Sequence, residues 1–401
     1  MTDGGDLSGA TEVGRDLVNV KVDELLDSCP ATSETRTFLK AQFEAGLAWV
    51  HFPVGLGGLG VEWTLQRIVR DRLENAGAPH GDLIQSHFAY SLAAPTLLVH
   101  GTDDQKARYL LPLFTGEQRW CQLWSEPNAG SDLAGVACRA VPNGDAWTIN
   151  GQKVWTSGAA KSDIGMLVAR SNPDVPKHRG ITYFLVDMHA PGVDVRPLRQ
   201  ITGDAEFSEV FLTDVQVPDR DRIGDVGAGW SVVVTTLMNE RVMLTGRGFH
   251  RPIDAALELC RSRQVDDPLI TDRLVQLWIR ERAISELGAH VAVMAEMGVP
   301  GPQGSAGKLA QGELNQATYE LCLDILGDES LHYESYDMKE WHLGDEYDPG
   351  DVRQRYLRSR GNTIEGGTSE IMRNILGERV LGLPADIRVD KDLRWAEVPR
   401  G

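Results

Sequence analysis

Two carboxylates near the end of the chain flank a pair of glycines and are candidates for acid–base chemistry. The segment TIEGGTSEIMRN covers residues 363–374 and places Glu365 and Glu370 around Gly366 and Gly367. Glycines let the backbone approach a ligand closely and expose its N–H groups. A carboxylate beside such a backbone can act as a general base. The same residues also suit an ordinary turn that leads into a helix.

A third carboxylate lies on an apolar stripe. Helical spacing over residues 230–248 puts one set on a single face: Val233, Leu237, Glu240 and Leu244. Burying a carboxylate is costly unless it is paired or its pKa rises. A raised pKa suits a base that attacks a weak carbon acid. The alternative is a structural ion pair with Arg241 or Arg247.

Hydroxyls, amides and one large flat ring are concentrated in the middle of the chain. LWSEPNAGSDLAG (123–135) offers hydroxyls and accessible backbone N–H groups around a tight turn, which can hold a pyrophosphate or a polar ring edge. In NGQKVWTSGA (150–159), Trp155 precedes Thr156 and Ser157, an arrangement that suits a planar cofactor. From the residues alone, an ordinary strand-and-turn surface remains the alternative.

Three zones of different periodicity must position these groups. Residues 1–118 are helical by their apolar spacing. Residues 119–225 contain short β-branched and aromatic runs, with Asn143-Gly144 as a strong hairpin signal. Residues 226–401 are again mainly helical. The sequence therefore predicts an α+β protein with a β domain between two helical domains.

Composition excludes several classes of function. The 401 residues carry 58 acidic and 40 basic side chains, a net charge of −18, which disfavours nucleic-acid binding. The start lacks a signal-peptide pattern, and no apolar run reaches the roughly 18 residues of a membrane span. Five scattered cysteines, with neither CxxC nor HExxH, predict a cytoplasmic protein without a metal site. GLGGLG (55–60) lacks a βαβ context and is interpreted as a loop between helices.

Long motifs in a fixed order resemble the acyl-CoA dehydrogenase family. They are WSEPNAGSDLAG, INGQKVWTSGAAKSD and the terminal GGTSEIMRNILGERVLGLP. The resemblance implies an N-terminal helical domain, a β-barrel-like middle domain and a C-terminal four-helix bundle. It also implies FAD as cofactor and dehydrogenation of an acyl-CoA thioester to the 2-enoyl-CoA, with hydride transfer to flavin N5. An electron-transfer flavoprotein is the implied acceptor.

The resemblance also assigns roles to individual residues. It implies that the flavin is contacted by two stretches and by the start of the last helix: Gln122, Leu123, Trp124 and Ser125; Trp155, Thr156 and Ser157; Thr368 and Glu370. Ser131 is expected to meet the FAD pyrophosphate or the pantetheine arm. Ser131 and Arg241 are the expected substrate contacts.

The position of the base departs from the commonest family pattern. In many members the base directly precedes the Gly-Thr of the terminal motif, where this chain has Gly366. Glu365 lies one residue early and is the alternative base. Isovaleryl-CoA and long-chain dehydrogenases carry the base on an early helix of the C-terminal domain, and that placement selects Glu240. Gly366 would then offer its backbone N–H to the thioester oxygen.

The expected contacts between subunits are altered. Family members often supply Arg and Phe across the interface in an R-x-T-F pattern, which ELCRSRQVDDPLI (258–270) lacks. Asp324 stands where Gln is frequent. The partner is therefore either a second copy, in a homodimer or homotetramer, or a related subunit in a heterotetramer. Two further alternatives are a flavin oxidase or monooxygenase of the same fold, and a subunit that binds FAD poorly.

Overall fold

A computed structural model describes most of the chain. The described residues are 7–80, 92–244, 251–296, 302–333, 335, 337–339 and 351–399, without the side chains of 7–11, 240–244 and 292–296. Within these ranges, no helix combines the length and the apolarity that a membrane crossing needs.

Helices form the first third of the chain. They are α1 (Leu7–Ser28), α2 (Thr35–Glu44), α3 (Gln66–Asn75), α4 (Ala94–His100) and α5 (Asp103–Thr115). Helix α5 begins with a capping box, in which Thr102 and Gln105 each accept a hydrogen bond from the other's backbone N–H. The GLGGLG segment connects α2 to the helical turn before α3, and Gly58 packs against the carbonyl of Phe52 too closely for any side chain. This segment is the predicted loop between helices.

A mixed β-sheet forms the middle of the chain. Its strands are β1 (Trp120–Leu123), β2 (Arg139–Asn143), β3 (Ala146–Ser157), β4 (Ile164–Arg170), β5 (Ile181–Asp187), β6 (Val193–Leu198), β7 (Phe207–Pro218) and β8 (Arg222–Ile223). The order across the sheet is β6-β7-β3-β2-β4-β5-β8, with β1 parallel to β4. The predicted hairpin is confirmed, because β2 and β3 pair in antiparallel fashion around Asn143 and Gly144, whose φ is 64°.

The last third returns to helices. They are α6 (Gly229–Leu244), α7 (Pro252–Ser262), α8 (Pro268–Glu296), α9 (Gly304–Leu326), α10 (Val352–Ser359) and α11 (Ser369–Ile375). Helix α9 packs against α7, α8, α10 and α11, so it is the centre of this layer.

One apolar core joins the three layers. Trp49 from the first helical layer, Trp120 and Tyr183 from the sheet, and Val232 and Val233 from α6 belong to the same buried cluster. Helix α6 therefore contacts both the sheet, at β5, and α4. This core fixes β1, β4, β5 and α6 relative to the first helical layer.

Candidate active site

The two middle-chain motifs meet at the end of β1. The backbone N–H of Val154 in β3 donates to the carbonyl of Ser125 at 2.9 Å. Gln122 and Leu123 lie in β1, and Trp124 follows directly. Leu123 and Trp124 point into the core, whereas Gln122 and Ser125 are partly exposed. The structure therefore brings together the two stretches that the sequence assigned to one cofactor edge.

A buried ion pair bonds the backbone of this edge. Lys153 is completely buried, and its ammonium donates to Glu126 at 2.7 Å and to the carbonyls of Trp124 at 2.9 Å and Val168 at 2.8 Å. Glu126 also accepts from the backbone N–H groups of residues 137 and 138. Each charge is thus surrounded by partners, as burial of an ion pair requires.

Sequence reasoning missed this pair. The usable signal was a lysine within a predicted strand, two residues before Trp155, and a lone acid directly after Ser125. Because nothing in the local sequence shows that the two residues meet, the pair became visible only with the fold.

Trp155 has an unusual backbone. Its φ is 60°, a left-handed conformation that is rare for a bulky residue and costs roughly 1–3 kcal/mol. It lies at an irregularity where the β3–β7 register shifts between Lys153 and Thr156. Such bulges redirect side chains, and here the indole ring is 58% exposed. The Phe207 ring lies nearly perpendicular to it, 5.7 Å away between centroids.

Two buried polar atoms, one on β1 and one on β3, have no partner in the described part of the chain. Gln122 Nε2 and Thr156 Oγ1 are buried and have no hydrogen-bond partner among the described residues. A buried polar group without a partner is costly, so such groups commonly await a ligand. A flavin supplies a flat ring for Trp155 and carbonyl and imide groups for these two side chains. The residues present therefore fit FAD.

The remaining middle-domain residues are exposed. Ser157 lies at the end of β3, opposite Phe207 on β7. Ser131 lies on the loop that follows a tight turn, in which Glu126 and Ala129 exchange backbone hydrogen bonds. Both hydroxyls are accessible to a ligand.

A lysine on α9 donates hydrogen bonds to the Gly-Gly turn. Gly366 and Gly367 have φ values of 61° and 98°, which only glycine adopts without strain. The largely buried Lys308 donates to the carbonyl of Gly367 at 2.5 Å and to that of Asn362 at 3.1 Å. Sequence reasoning missed Lys308, which lies far from the turn along the chain.

Thr368 and Glu370 start α11 as the sequence predicted. Thr368 is the N-cap, and its hydroxyl accepts from the backbone N–H of Ile371 at 3.2 Å. Glu370 is exposed in the first turn. Hydrogen bonds from its own backbone N–H and from the Thr368 hydroxyl hold the pKa of the Glu370 carboxyl below its usual value.

Arg358 connects the turn to the β-sheet side. Its guanidinium bonds Glu365 at 2.9 Å and Glu206 at 2.8 Å, and it lies 5.6 Å from the centre of the Phe207 ring that flanks Trp155. Burial raises the pKa of Glu206, and the charge of Arg358 opposes this rise. Arg358 therefore links the sheet side directly to the C-terminal turn.

Glu365 is occupied by neighbours. Its carboxylate accepts both terminal nitrogens of Arg358, at 2.9 and 3.3 Å, and the amide of Asn362 at 2.6 Å. Glu240 lies on α6, but its side chain and that of Arg241 fall outside the described residues. The described part of the chain contains no group of three or more His, Cys, Asp or Glu that can hold a metal ion.

A β-sheet between two helical layers carries an exposed indole and buried polar atoms without partners in the described chain, a combination that suits a planar cofactor. Three sequence profiles of one family match consecutive parts of the chain: "Acyl-CoA dehydrogenase, N-terminal domain" over 11–117, "middle domain" over 121–215 and "C-terminal domain" over 227–381. This chain belongs to the acyl-CoA dehydrogenase family, whose members are FAD flavoproteins. The predicted family, fold class, enzyme class and cofactor are confirmed.

Named relatives agree with this membership. Acyl-CoA dehydrogenase FadE34 of Mycobacterium tuberculosis is 39% identical over 345 residues, which are 85% of this chain but 45% of FadE34. Acyl-CoA dehydrogenase IpdE1 of Mycolicibacterium smegmatis is 37% identical over 372 residues, 89% of this chain and 90% of IpdE1. A chain of the ChsE4-ChsE5 complex from Mycobacterium tuberculosis is 26% identical, with a TM-score of 0.68 over 96% of this chain and 100% of its own length. The residue roles and the domain boundaries at 118/119 and 225/226 remain predictions.

Proposed function

We propose that the chain dehydrogenates an acyl-CoA thioester between its α and β carbons, and that Glu240 removes the α-proton. Support comes from helix α6. Val233 is fully buried and Leu237 packs against the same core, so the described part of this helical face, up to residue 237, is turned inward. An acid on an inward face has the desolvated setting that raises the basicity of a carboxylate.

The hydrogen bonds of Glu365 are the main observation in favour of Glu240 as the base. The Glu365 carboxylate accepts two nitrogens of Arg358 and the amide of Asn362, so its oxygens are already engaged by neighbouring donors. Taking a proton from carbon would require Glu365 to break these bonds first. This cost favours Glu240 over the alternative base.

The Gly-Gly turn supplies the second element of the reaction. Gly366 has no side chain to occupy the base position, and we assign its backbone N–H to the thioester oxygen, where negative charge develops as the α-proton leaves. Lys308 fixes this turn through the carbonyl of Gly367. When bound, FAD supplies the hydride acceptor for the β-carbon.

The test compares two isosteric variants of the flavin-loaded protein. Acyl-CoAs of short, long, branched and polycyclic acyl groups are added anaerobically, and flavin bleaching is followed. Glu240→Gln is expected to slow bleaching by about 10²–10⁴-fold, the usual contribution of a general base. Glu365→Gln is expected to slow it less than about tenfold, and the surface variant Glu44→Gln not at all.

Two results would reverse this assignment. Full activity in Glu240→Gln with loss in Glu365→Gln would make Glu365 the base. Fast reaction of the reduced wild-type flavin with oxygen would indicate an oxidase instead. Transfer of electrons to an electron-transfer flavoprotein, which the family resemblance implies, is measured in the same preparation with dye-coupled turnover.

We propose that this chain assembles with a related, non-identical subunit. One residue of the segment that lacks R-x-T-F, and the acid that stands where Gln is frequent, are engaged within this chain. Arg263 pairs with Glu329 at 2.5 Å, and Asp324 pairs with Arg273 at 2.7 Å. A match to a chain of the ChsE4-ChsE5 complex agrees with such an assembly. One flavin per chain in a single-sequence oligomer, measured by native mass spectrometry and absorbance, would overturn this proposal.

A further inference from the structure

The end of the described chain returns to the β domain. Residues 388–398, here called the C-terminal strap, run beside the β4–β5 connection. Arg394 forms a bridge with Pro176, and the backbone N–H of Trp395 donates to the carbonyl of Val175 at 2.9 Å. The next N–H, of Ala396, donates to Pro173 at 3.0 Å. The strap is thus bound to the sheet domain by backbone hydrogen bonds.

Trp395 joins the strap to the turn that follows the Ser131 loop. Its indole Nε1 donates to the carbonyl of Gly135 at 3.1 Å. Its ring lies under the guanidinium of Arg170, 4.7 Å from the ring centre. Arg170 is buried and itself donates to the carbonyls of Ala134 and Val136. Trp395 and Arg170 together therefore hold the three consecutive carbonyls of this turn.

A lysine bridges the strap and the other end of the same loop. Lys177 pairs with Asp390 of the strap at 2.6 Å and with Asp132 at 3.0 Å. Burial opposes the charge of Lys177, but its bonds to Asp390 and Asp132 outweigh that effect and raise the pKa of the ammonium. Asp132 directly follows Ser131, so this bridge restrains the backbone at the serine itself.

We propose that the strap, through Trp395 and Asp390, positions the Ser131 loop to receive the pantetheine arm of acyl-CoA. The inference rests on the proposed function for the identity of the ligand. Ser131 is exposed on a loop, and Trp395 and Lys177 contact that loop and the turn after it from outside. A loop that is ordered before binding loses less entropy when the substrate arrives. Loosening the strap therefore weakens substrate binding while the reaction step stays intact.

Paired variants test the strap without changing the sheet. Trp395→Ala removes the indole bond and the ring under Arg170, whereas Trp395→Phe keeps a ring and loses the bond. Asp390→Asn breaks the bridge to Lys177, and Asp392→Asn changes an exposed acid of the same strap as the matched control. The flavin-loaded protein is used throughout, at a temperature where its far-ultraviolet circular dichroism is native.

Two measurements distinguish the effect of the strap on the loop from its effect on substrate binding. Amide hydrogen exchange of residues 131–136 is expected to speed up about tenfold in Trp395→Ala and Asp390→Asn, less in Trp395→Phe, and not in Asp392→Asn. In steady-state assays, KM for acyl-CoA is expected to rise about tenfold in the first two variants, with kcat within about twofold of wild type.

Each contrary result has one meaning. Unchanged exchange in Trp395→Ala overturns the strap, whatever the substrate. Faster exchange with an unchanged KM, or with loss of FAD instead, overturns the assignment of the loop to the pantetheine arm. Failure of the wild-type flavin to react with every acyl-CoA overturns the proposed function, and the exchange result still decides the strap by itself.

Discussion

The sheet side of the site and the C-terminal turn opposite it are held by different kinds of contact. On the sheet side, Lys153 and Glu126 are buried together and bond backbone carbonyls and N–H groups. At the turn, Glu365 and Arg358 keep 41% and 30% of their side chains exposed, and Glu370 keeps 79%. Buried pairs depend strongly on both partners, whereas exposed pairs contribute little.

The different contacts give the two regions different properties: the sheet side is stable, and the turn can change its conformation. The sheet side is held by a buried ion pair, so we expect it to keep its shape when a planar ring binds. The turn depends on Lys308, two glycines and solvent-exposed ion pairs, which can rearrange at low cost when a substrate enters. Three substitutions, of decreasing expected effect, test this difference.

Lys153→Met is expected to have the largest effect. It leaves Glu126 buried without its countercharge, a change that typically costs about 3–5 kcal/mol in the free energy of unfolding. Urea unfolding measures the loss, and Lys40→Met, at an exposed 3.9 Å pair with Glu44, is the matched control with about 0–1 kcal/mol. A Lys153→Met protein as stable as its control would remove the contrast between the two regions.

Lys308→Met is expected to have an intermediate effect. The carbonyls of Asn362 and Gly367 lose a charged donor, which corresponds to about 1.5–3 kcal/mol. The loss of unfolding free energy is expected to be smaller than for Lys153→Met, and bleaching by acyl-CoA is expected to slow because Gly366 is no longer held in place. Unaltered bleaching kinetics would show that the turn holds its shape without Lys308.

Glu370→Gln is expected to have the smallest effect, and one that depends on pH. Since the pKa of Glu370 is lowered in the folded state, its ionised form stabilises the fold above its unfolded pKa of about 4.3, and this contribution disappears as the pH falls through the folded value. Denaturation midpoints of wild type and variant should therefore differ slightly at pH 7 and converge near pH 3. A constant difference at both pH values would rule out the carboxylate as its source.

Local signals explain what the sequence predicted. The Asn143-Gly144 turn and the helical spacing before and after it predicted the order of helical, β and helical layers. The motifs around Ser125 and Trp155 predicted one shared edge, and the structure brings them together. These features depend on residues close in sequence or on recognisable patterns.

Long-range pairing explains what the sequence did not predict. Lys153 and Glu126 are 27 residues apart, Lys308 and Gly367 are 59 apart, and Lys177 and Asp390 are 213 apart. Each of these lysines looks like an ordinary surface residue in the sequence, and only the folded chain brings it to its acceptor. The sequence therefore did not predict the lysines that hold the candidate site in place, although it did predict the site residues themselves.

The left-handed backbone of Trp155 has a consequence for protein engineering. Glycine accepts a φ of 60° without strain, and the indole is more than half exposed, so Trp155→Gly trades limited packing for relief of the backbone. A library selected only for heat resistance is expected to enrich this substitution. The selected proteins are expected to be colourless, because the same change removes the ring that is predicted to contact the flavin.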